Sequence, residues 1–184
     1  MIRRSEYNKI QKIAAEKIKQ AGIIIRDDET ENIKVADFGL SDVHSEGGQI
    51  LTFFETERIS AKIIVLLPNQ TLPEHWHPPV GNDPGKEEII RAISGEMRFY
   101  IPGEGEIKEG FIPKGKKDCY TMRKEVILQP GEQIILQPGT KHWFQAGTEG
   151  AVMYSFSTCV RDGLDGFTDP EIVRETKILE DEEL

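Results

Sequence analysis

Pro73-Glu74-His75-Trp76-His77-Pro78-Pro79 is the stretch on which the reading of this chain turns. The 184 residues hold only four histidines, His44, His75, His77 and His142, and two of them stand two positions apart. In an extended strand, side chains at i and i+2 leave the same face. His75 and His77 therefore present two imidazoles side by side, a pair able to share one metal ion. Past a Gly/Pro loop, Lys86-Glu87-Glu88 opens a β-rich segment and offers a carboxylate. After a Pro-Gly turn, Gln137-Pro138-Gly139-Thr140-Lys141-His142-Trp143-Phe144 supplies a third imidazole from another strand. Three imidazoles and a carboxylate suit a borderline divalent ion such as Mn, Fe, Co, Ni or Zn.

The surrounding texture predicts an all-β fold. Runs rich in β-formers at 23–25, 34–40, 49–56, 60–67, 88–101, 125–128, 133–136 and 150–157 are separated by Gly, Pro, Asn and Asp. Segments at this spacing point to an antiparallel sandwich or barrel, and the 17 Gly and 10 Pro supply its turns. Residues 102–117, without an apolar period, read as a loop between two strands. Ahead of the barrel, Tyr7, Ile10, Ala14, Ile18 and Ala21 form one apolar stripe. That stripe predicts a helix over 5–21, packed outside the main body, with Ser5 as N-cap and Gly22 as stop. The expectation is a single domain over 1–184: the helix, a barrel over 23–170, and an acidic, solvated tail over 171–184.

Composition excludes several classes of function. Lys+Arg number 23 and Asp+Glu 32, a net charge of −9, which argues against the basic face of a nucleic-acid binder. The longest apolar run, Ile63-Ile64-Val65-Leu66-Leu67, is too short to span a bilayer. No apolar stretch of signal-peptide length follows Met1-Ile2-Arg3-Arg4. Two cysteines, Cys119 and Cys159, are too few for a disulfide framework, and a reducing, cytoplasmic setting is the default expectation. The expected partner is a small molecule, with no nucleic acid and no membrane.

In order and spacing, the metal-ligand residues resemble the cupin superfamily. His75, His77, Glu88 and Gly95, seven residues after Glu88, match its first motif; Gly131, Pro138, Gly139 and His142 match its second. Asn69 stands where the first motif carries Gly, and the gap from His77 to Glu88 is long. Glu87 competes as a ligand, and the spacing to Gly95 selects Glu88. The longer match resembles the D-lyxose isomerase family. It comprises Pro-Glu-His-Trp-His-Pro-Pro, Gly-Lys-Glu-Glu, Thr-Lys-His-Trp-Phe-Gln-Ala-Gly and Phe-Thr-Asp-Pro, within residues 20–172. This resemblance implies a cupin fold, the double-stranded β-helix or jelly-roll barrel, with His75, His77, Glu88 and His142 holding Mn2+ or another divalent ion such as Co2+. It implies a homodimer. It also implies a metal-dependent aldose–ketose isomerase acting on a monosaccharide, D-lyxose with D-xylulose and D-mannose with D-fructose, through an enediolate.

Such chemistry needs further groups. Lys86, two residues before Glu88, is expected to face the interior, where its ammonium donates to a sugar hydroxyl or shuttles a proton. Glu74, Glu87, Asp162, Asp165 and Asp169 are the candidate bases, with Asp165 and Asp169 singled out as catalytic because their segment follows the last strand and could close a barrel mouth. Trp76 and Phe144 are expected to bind substrate, with Trp143 and Phe167 as further aromatic lining. Gln145 and Thr71 are expected hydroxyl partners. Arg91, on the opposite face from Glu88, is placed outside the pocket, and His44 at the surface. A metal-dependent cupin dioxygenase, a sugar-phosphate isomerase and a non-catalytic sugar-binding cupin are the competing readings.

Overall fold

The computed structural model describes residues 1–158, 160 and 162–181; Cys159, Arg161 and the last three residues of the acidic tail lie outside them. In chain order the elements are β1 (Ile2–Arg3), α1 (Arg4–Gln20), α2 (Asp27–Glu31), β2 (Lys34–Ala36), β3 (Gly48–Glu55), β4 (Ile59–Leu66), β5 (Thr71–Trp76) and β6 (Glu88–Ser94). There follow β7 (Met97–Ile101), β8 (Lys124–Leu128), β9 (Gln133–Leu136), β10 (His142–Ala146), β11 (Ala151–Thr158), β12 (Gly166–Phe167) and β13 (Ile178–Leu179). A six-stranded sheet runs β2-β3-β4-β11-β6-β9 and a five-stranded sheet β12-β5-β10-β7-β8. Apart from the parallel β1–β13 pair, every named ladder is antiparallel. The two sheets close on one core, the jelly-roll barrel of the cupins.

Strand β4 explains the longest apolar run. Ile64 and Leu66 point into the barrel, where they pack with Ile90, Ala92 and Met153 of their own sheet and Leu72, Met97, Phe99 and Phe144 of the other. Ile63 and Val65, one step out of phase, point outward and are covered by Ala14, Ala15 and Ile18 of α1. Being buried on both faces, β4 needs no polar alternation. At its other end Lys62 points inward and is buried.

Turns divide what the sequence presents as continuous. Residues 88–101 form two strands in different sheets, joined at Gly95. Gly95 has φ +75°, and a Cβ there would lie 2.0 Å from the Gly150 carbonyl oxygen, so no other residue fits. Asn69, the departure from the cupin motif, adopts φ +57°, a left-handed conformation that Asn tolerates better than most side chains.

Several local expectations are corrected. Residues 23–25 form no strand, and Ile24 is almost fully exposed. Helix α1 begins at Arg4 and has no side-chain cap; Ser5 instead donates its hydroxyl to Asp181 at 2.8 Å. At the other end Ile23 N–H returns to the Ile18 carbonyl (3.2 Å) through left-handed Gly22. The acidic segment is docked as far as it is described. β13 pairs with β1, and Glu180 forms an ion pair with Arg4 at 2.7 Å. Among the described residues, no helix is long and apolar enough to cross a membrane.

Candidate metal centre

The five-stranded sheet places the three imidazoles by register. His75 of β5 lies directly opposite His142 of β10, with ring centroids 4.2 Å apart. His77 follows just past the end of β5, 5.1 Å from the His75 ring. Glu88, the first residue of β6, comes from the facing sheet, and its Oε2 stands 3.2 Å from His77 Nε2. The ligand atoms of His75, His77 and His142 all lie within 4.8 Å of one another, and all three side chains are buried.

Hydrogen bonds fix which nitrogen carries a lone pair in two of the rings, His75 and His142. His75 Nδ1 is 2.8 Å from the Pro73 carbonyl, and His142 Nδ1 is 2.8 Å from the Thr140 carbonyl. A carbonyl only accepts, so both Nδ1 atoms carry hydrogen and donate. Burial, then the neighbouring imidazoles, holds His75 well below its ordinary pKa, and burial pushes His142 down to about 4. Both rings are therefore neutral, with their Nε2 lone pairs free, and His142 Nε2 is buried without a hydrogen-bond partner. His77 Nδ1 instead meets the Asp165 carboxylate at 2.7 Å. Burial opposes a charge on His77, but the bonds to Asp165 and Glu88 outweigh it and raise its pKa. Burial likewise disfavours the Glu88 carboxylate, yet Lys86 and His77 hold its pKa well below the usual range. Ser155 donates to Glu88 Oε1 at 2.5 Å. Converging imidazole lone pairs, one of them orphaned in the interior, with a carboxylate–histidine pair behind, form a donor set suited to a divalent metal.

His75, His77 and Glu88 line one side of a pocket that is open at its mouth. Its apolar floor includes Phe38, Leu72, Phe144 and Phe167, and its polar wall Lys62, Lys86, Asp162, Asp165 and Arg174. The three cations are all engaged: Lys62 with Asp162 at 2.7 Å, Lys86 with Glu88 at 3.4 Å, and Arg174 with Asp165 at 2.7 Å and Asp162 at 3.2 Å. Burial favours the neutral acid at Asp162, but Lys62, Lys86 and Arg174 lower its pKa.

The structure thus gathers His75, His77, Glu88, His142, Lys86, Phe144, Phe167, Asp162 and Asp165, and it sends other expected residues elsewhere. Trp76 lies between two inward histidines and so faces outward, against Gly166, with Lys141 Nζ 4.8 Å from its ring centre. Gln145 is out of phase with Phe144 and fully buried behind the sheet, holding Thr71 Oγ1 at 2.8 Å and the Phe111 backbone. Trp143 stacks on Tyr100, with centroids 3.6 Å apart. Asp169 is bound by Lys116 at 2.6 Å and lies off the pocket wall. Glu74 accepts from the Thr121 hydroxyl and the Thr121 and Met122 amides, and Glu87 accepts from Gln137. Asp165 stays at the pocket, with one oxygen on His77 and the other on Arg174. Arg91 and His44 are exposed, as expected. Lys62 and Arg174 carried no sequence signal of their own: one sits in an apolar strand and the other in the segment read as a tail.

Comparison with known proteins agrees with this geometry. The family model described as D-lyxose isomerase matches residues 12–184. The D-lyxose/D-mannose isomerase of Thermosediminibacter oceani is 46% identical over 95% of this chain and 97% of its own. The D-lyxose ketol-isomerase of Cohnella laeviribosi is 43% identical over 94% and 96%. Among solved structures, the L-ribose isomerase of Cellulomonas parahominis superposes with a TM-score of 0.80 at 15% identity, covering 97% of this chain and 98% of that one.

Proposed function

The chain belongs to the D-lyxose isomerase family, and from that premise we propose that it is a metal-dependent ketol-isomerase interconverting D-lyxose with D-xylulose and D-mannose with D-fructose. The observation that carries this reading is the buried set of imidazole lone pairs at the end of a pocket with an apolar floor and a hydrogen-bonding wall. A sugar has that same duality, with C–H faces for Phe144 and Phe167 and hydroxyls for the charged wall. The fully paired cations leave no cradle for a phosphate among the described residues, and the polar wall suits a sugar better than the apolar substrate of an oxygenase.

His75, His77, His142 and Glu88 would hold the ion. Mn2+ is the metal implied, with Co2+ as a substitute, and a divalent ion there supplies Lewis acidity for the carbonyl and its adjacent hydroxyl oxygen. The chain's own groups move the protons. Isomerisation takes the C2 proton of the open aldose, returns a proton to C1, and transfers a hydroxyl proton from O2 to O1. Asp162 is the wall carboxylate that does not hold a ligand histidine, so it is assigned the carbon-bound proton. Lys86, whose Nζ lies between Glu88 and Asp162, serves the oxygens. Asp165 orients His77. The working assembly is a homodimer in the cytoplasm.

The test is direct. Protein stripped by chelator and reloaded with Mn2+ is incubated with D-lyxose, D-mannose and fructose 6-phosphate. Ketose is expected from the first two. Absence of ketose from both would sink the isomerase reading, and turnover of the sugar phosphate alone would replace it.

A further inference from the structure

Strand β12 has only two residues and forms the edge of the five-stranded sheet. Its front face serves the pocket. Phe167 lies opposite His75 in the ladder, with ring centroids 5.9 Å apart. Asp165, just before the strand, holds His77 Nδ1 at 2.7 Å. Both residues line the pocket, as does Asp162 at the start of the same segment. Two paired residues are a weak device for fixing a register. A slip of one residue turns Phe167 to the opposite face and draws Asp165 away from His77.

The reverse face carries what the ladder lacks. With His75 pointing into the pocket, strand parity turns Glu74 and Trp76 away from it. Gly166 stands opposite Trp76, and the same register carried one step on brings Thr168 opposite Glu74. There the Thr168 N–H donates to the Glu74 carbonyl at 3.1 Å, and the Thr168 hydroxyl donates to Glu74 Oε1 at 2.6 Å. The Glu74 side chain is fully buried, with Lys141 Nζ 3.9 Å from Oε1. Its other donors come from the long connection between β7 and β8. The Thr121 hydroxyl reaches Oε1 at 2.7 Å, and the Thr121 and Met122 amides reach Oε2 at 2.6 and 2.8 Å. Two backbone amides and a second hydroxyl thus hold the carboxylate that Thr168 binds. Such cross-strand side-chain pairs are the unit that stabilises a sheet.

We propose that Glu74 is a positioning residue of the site: acting through Thr168, its carboxylate locks β12 in the register that holds Phe167 and Asp165 at the pocket. Glu74 is absent from the pocket lining, so it works only through the strand. The inference rests on the isomerase reading above and adds a residue to it. The aromatic face offered to the sugar and the orientation of His77 then both depend on a bond made on the far side of the sheet.

Thr168→Val deletes that bond, keeps the shape of the side chain and leaves Glu74 its three donors from the connection. The Mn2+-loaded variant, with unchanged circular dichroism, is expected to lose about 10–100-fold in kcat/KM for D-lyxose, the equivalent of a hydrogen bond to a charged group. Thr168→Ser keeps the hydroxyl and is expected to restore the wild-type value. Thr121→Val removes the other hydroxyl from the same carboxylate oxygen without touching β12, and is expected to keep it. A second readout needs neither metal nor turnover. Trp76 and Trp143 are the only tryptophans of the chain, and Trp143 is fully buried. A Cβ on Gly166 would lie 2.3 Å from the Trp76 ring, so β12 shields that indole directly. Acrylamide quenching of the metal-free protein is therefore expected to be steeper in Thr168→Val than in wild type or Thr168→Ser. Should Thr168→Val misfold, Thr168→Ala carries both measurements. Wild-type kcat/KM or wild-type quenching in the variant without the hydroxyl overturns the lock. So does an equal loss of activity in Thr168→Ser or in Thr121→Val. If the wild type converts no D-lyxose, the isomerase reading fails, and the quenching alone decides for or against the lock.

Discussion

Asp165→Asn separates two roles that a carboxylate at this site can play. Asp165 accepts from His77 Nδ1 at 2.7 Å and from Arg174 at 2.7 Å. Both of its oxygens are thus committed, and neither is free to take a proton from a substrate carbon. Its effect on chemistry must pass through His77, by fixing the ring so that Nε2 faces the other ligands. Asn has the same shape and can still accept from His77 through its amide oxygen, but it carries no charge. A charge-assisted bond contributes about 1.5–3 kcal/mol against about 1 for a neutral one. Loss of such partners of metal-bound histidines typically weakens metal binding by 10–100-fold, or about 1.4–2.7 kcal/mol. Competition against a chromophoric chelator measures the Mn2+ affinity, and initial rates at saturating Mn2+ measure kcat. The expected result is an affinity lowered within that range, with kcat at saturating metal within about 10-fold of wild type. If metal affinity is unchanged while kcat falls by several orders of magnitude, Asp165 is the base and the positioning argument is wrong.

Lys86→Met should lower kcat by about 100-fold or more while chelator competition still reports a filled metal site, since Lys86 is assigned to oxygen proton transfer of the size general catalysis supplies. Gly95→Ala should lower stability by more than the 1–2 kcal/mol of a left-handed Ala, because its Cβ also meets the Gly150 oxygen at 2.0 Å; urea unfolding that matches wild type would refute this. Gln145→Leu should cost about 1–3 kcal/mol of stability by orphaning buried partners and leave KM for D-lyxose unchanged, whereas a raised KM would return Gln145 to the substrate. Asp169→Asn tests the Lys116 tie. Burial opposes the Asp169 charge, but Lys116 lowers its pKa below 3.8, so its stabilisation is full above that value and disappears as pH falls through the lowered one. Wild type should therefore be the more stable at pH 7, and the gap should close in acid denaturation.

What the sequence made legible at this site, and what it hid, follow from the period of a strand. The spacing His75-x-His77 puts two imidazoles on one face, and the structure keeps them there. The same alternation turns Trp76 outward, and it prevents Phe144 and Gln145 from sharing the pocket; parity alone, applied consistently, would have removed both Trp76 and Gln145 from the lining. Other features lay beyond any local rule. Lys62 reads as an interruption in an apolar strand until Asp162, 100 residues further on, comes within 2.7 Å of it. Arg174 reads as part of an acidic tail because its segment has no periodicity. What holds that segment against the barrel is distant in sequence: Val173 N–H on the Phe38 carbonyl, β13 on β1, and Glu180 on Arg4. Local patterns encode faces and turns, whereas the charged wall opposite the histidines depends on long-range closure. The mutations that test that closure are accordingly far from the site in sequence. Arg4→Ala, which frees Glu180, should loosen the segment carrying Arg174 and raise amide exchange at residues 172–179. Unchanged protection there would mean that the β1–β13 ladder and the Phe38 contact hold the wall without the terminal ion pair.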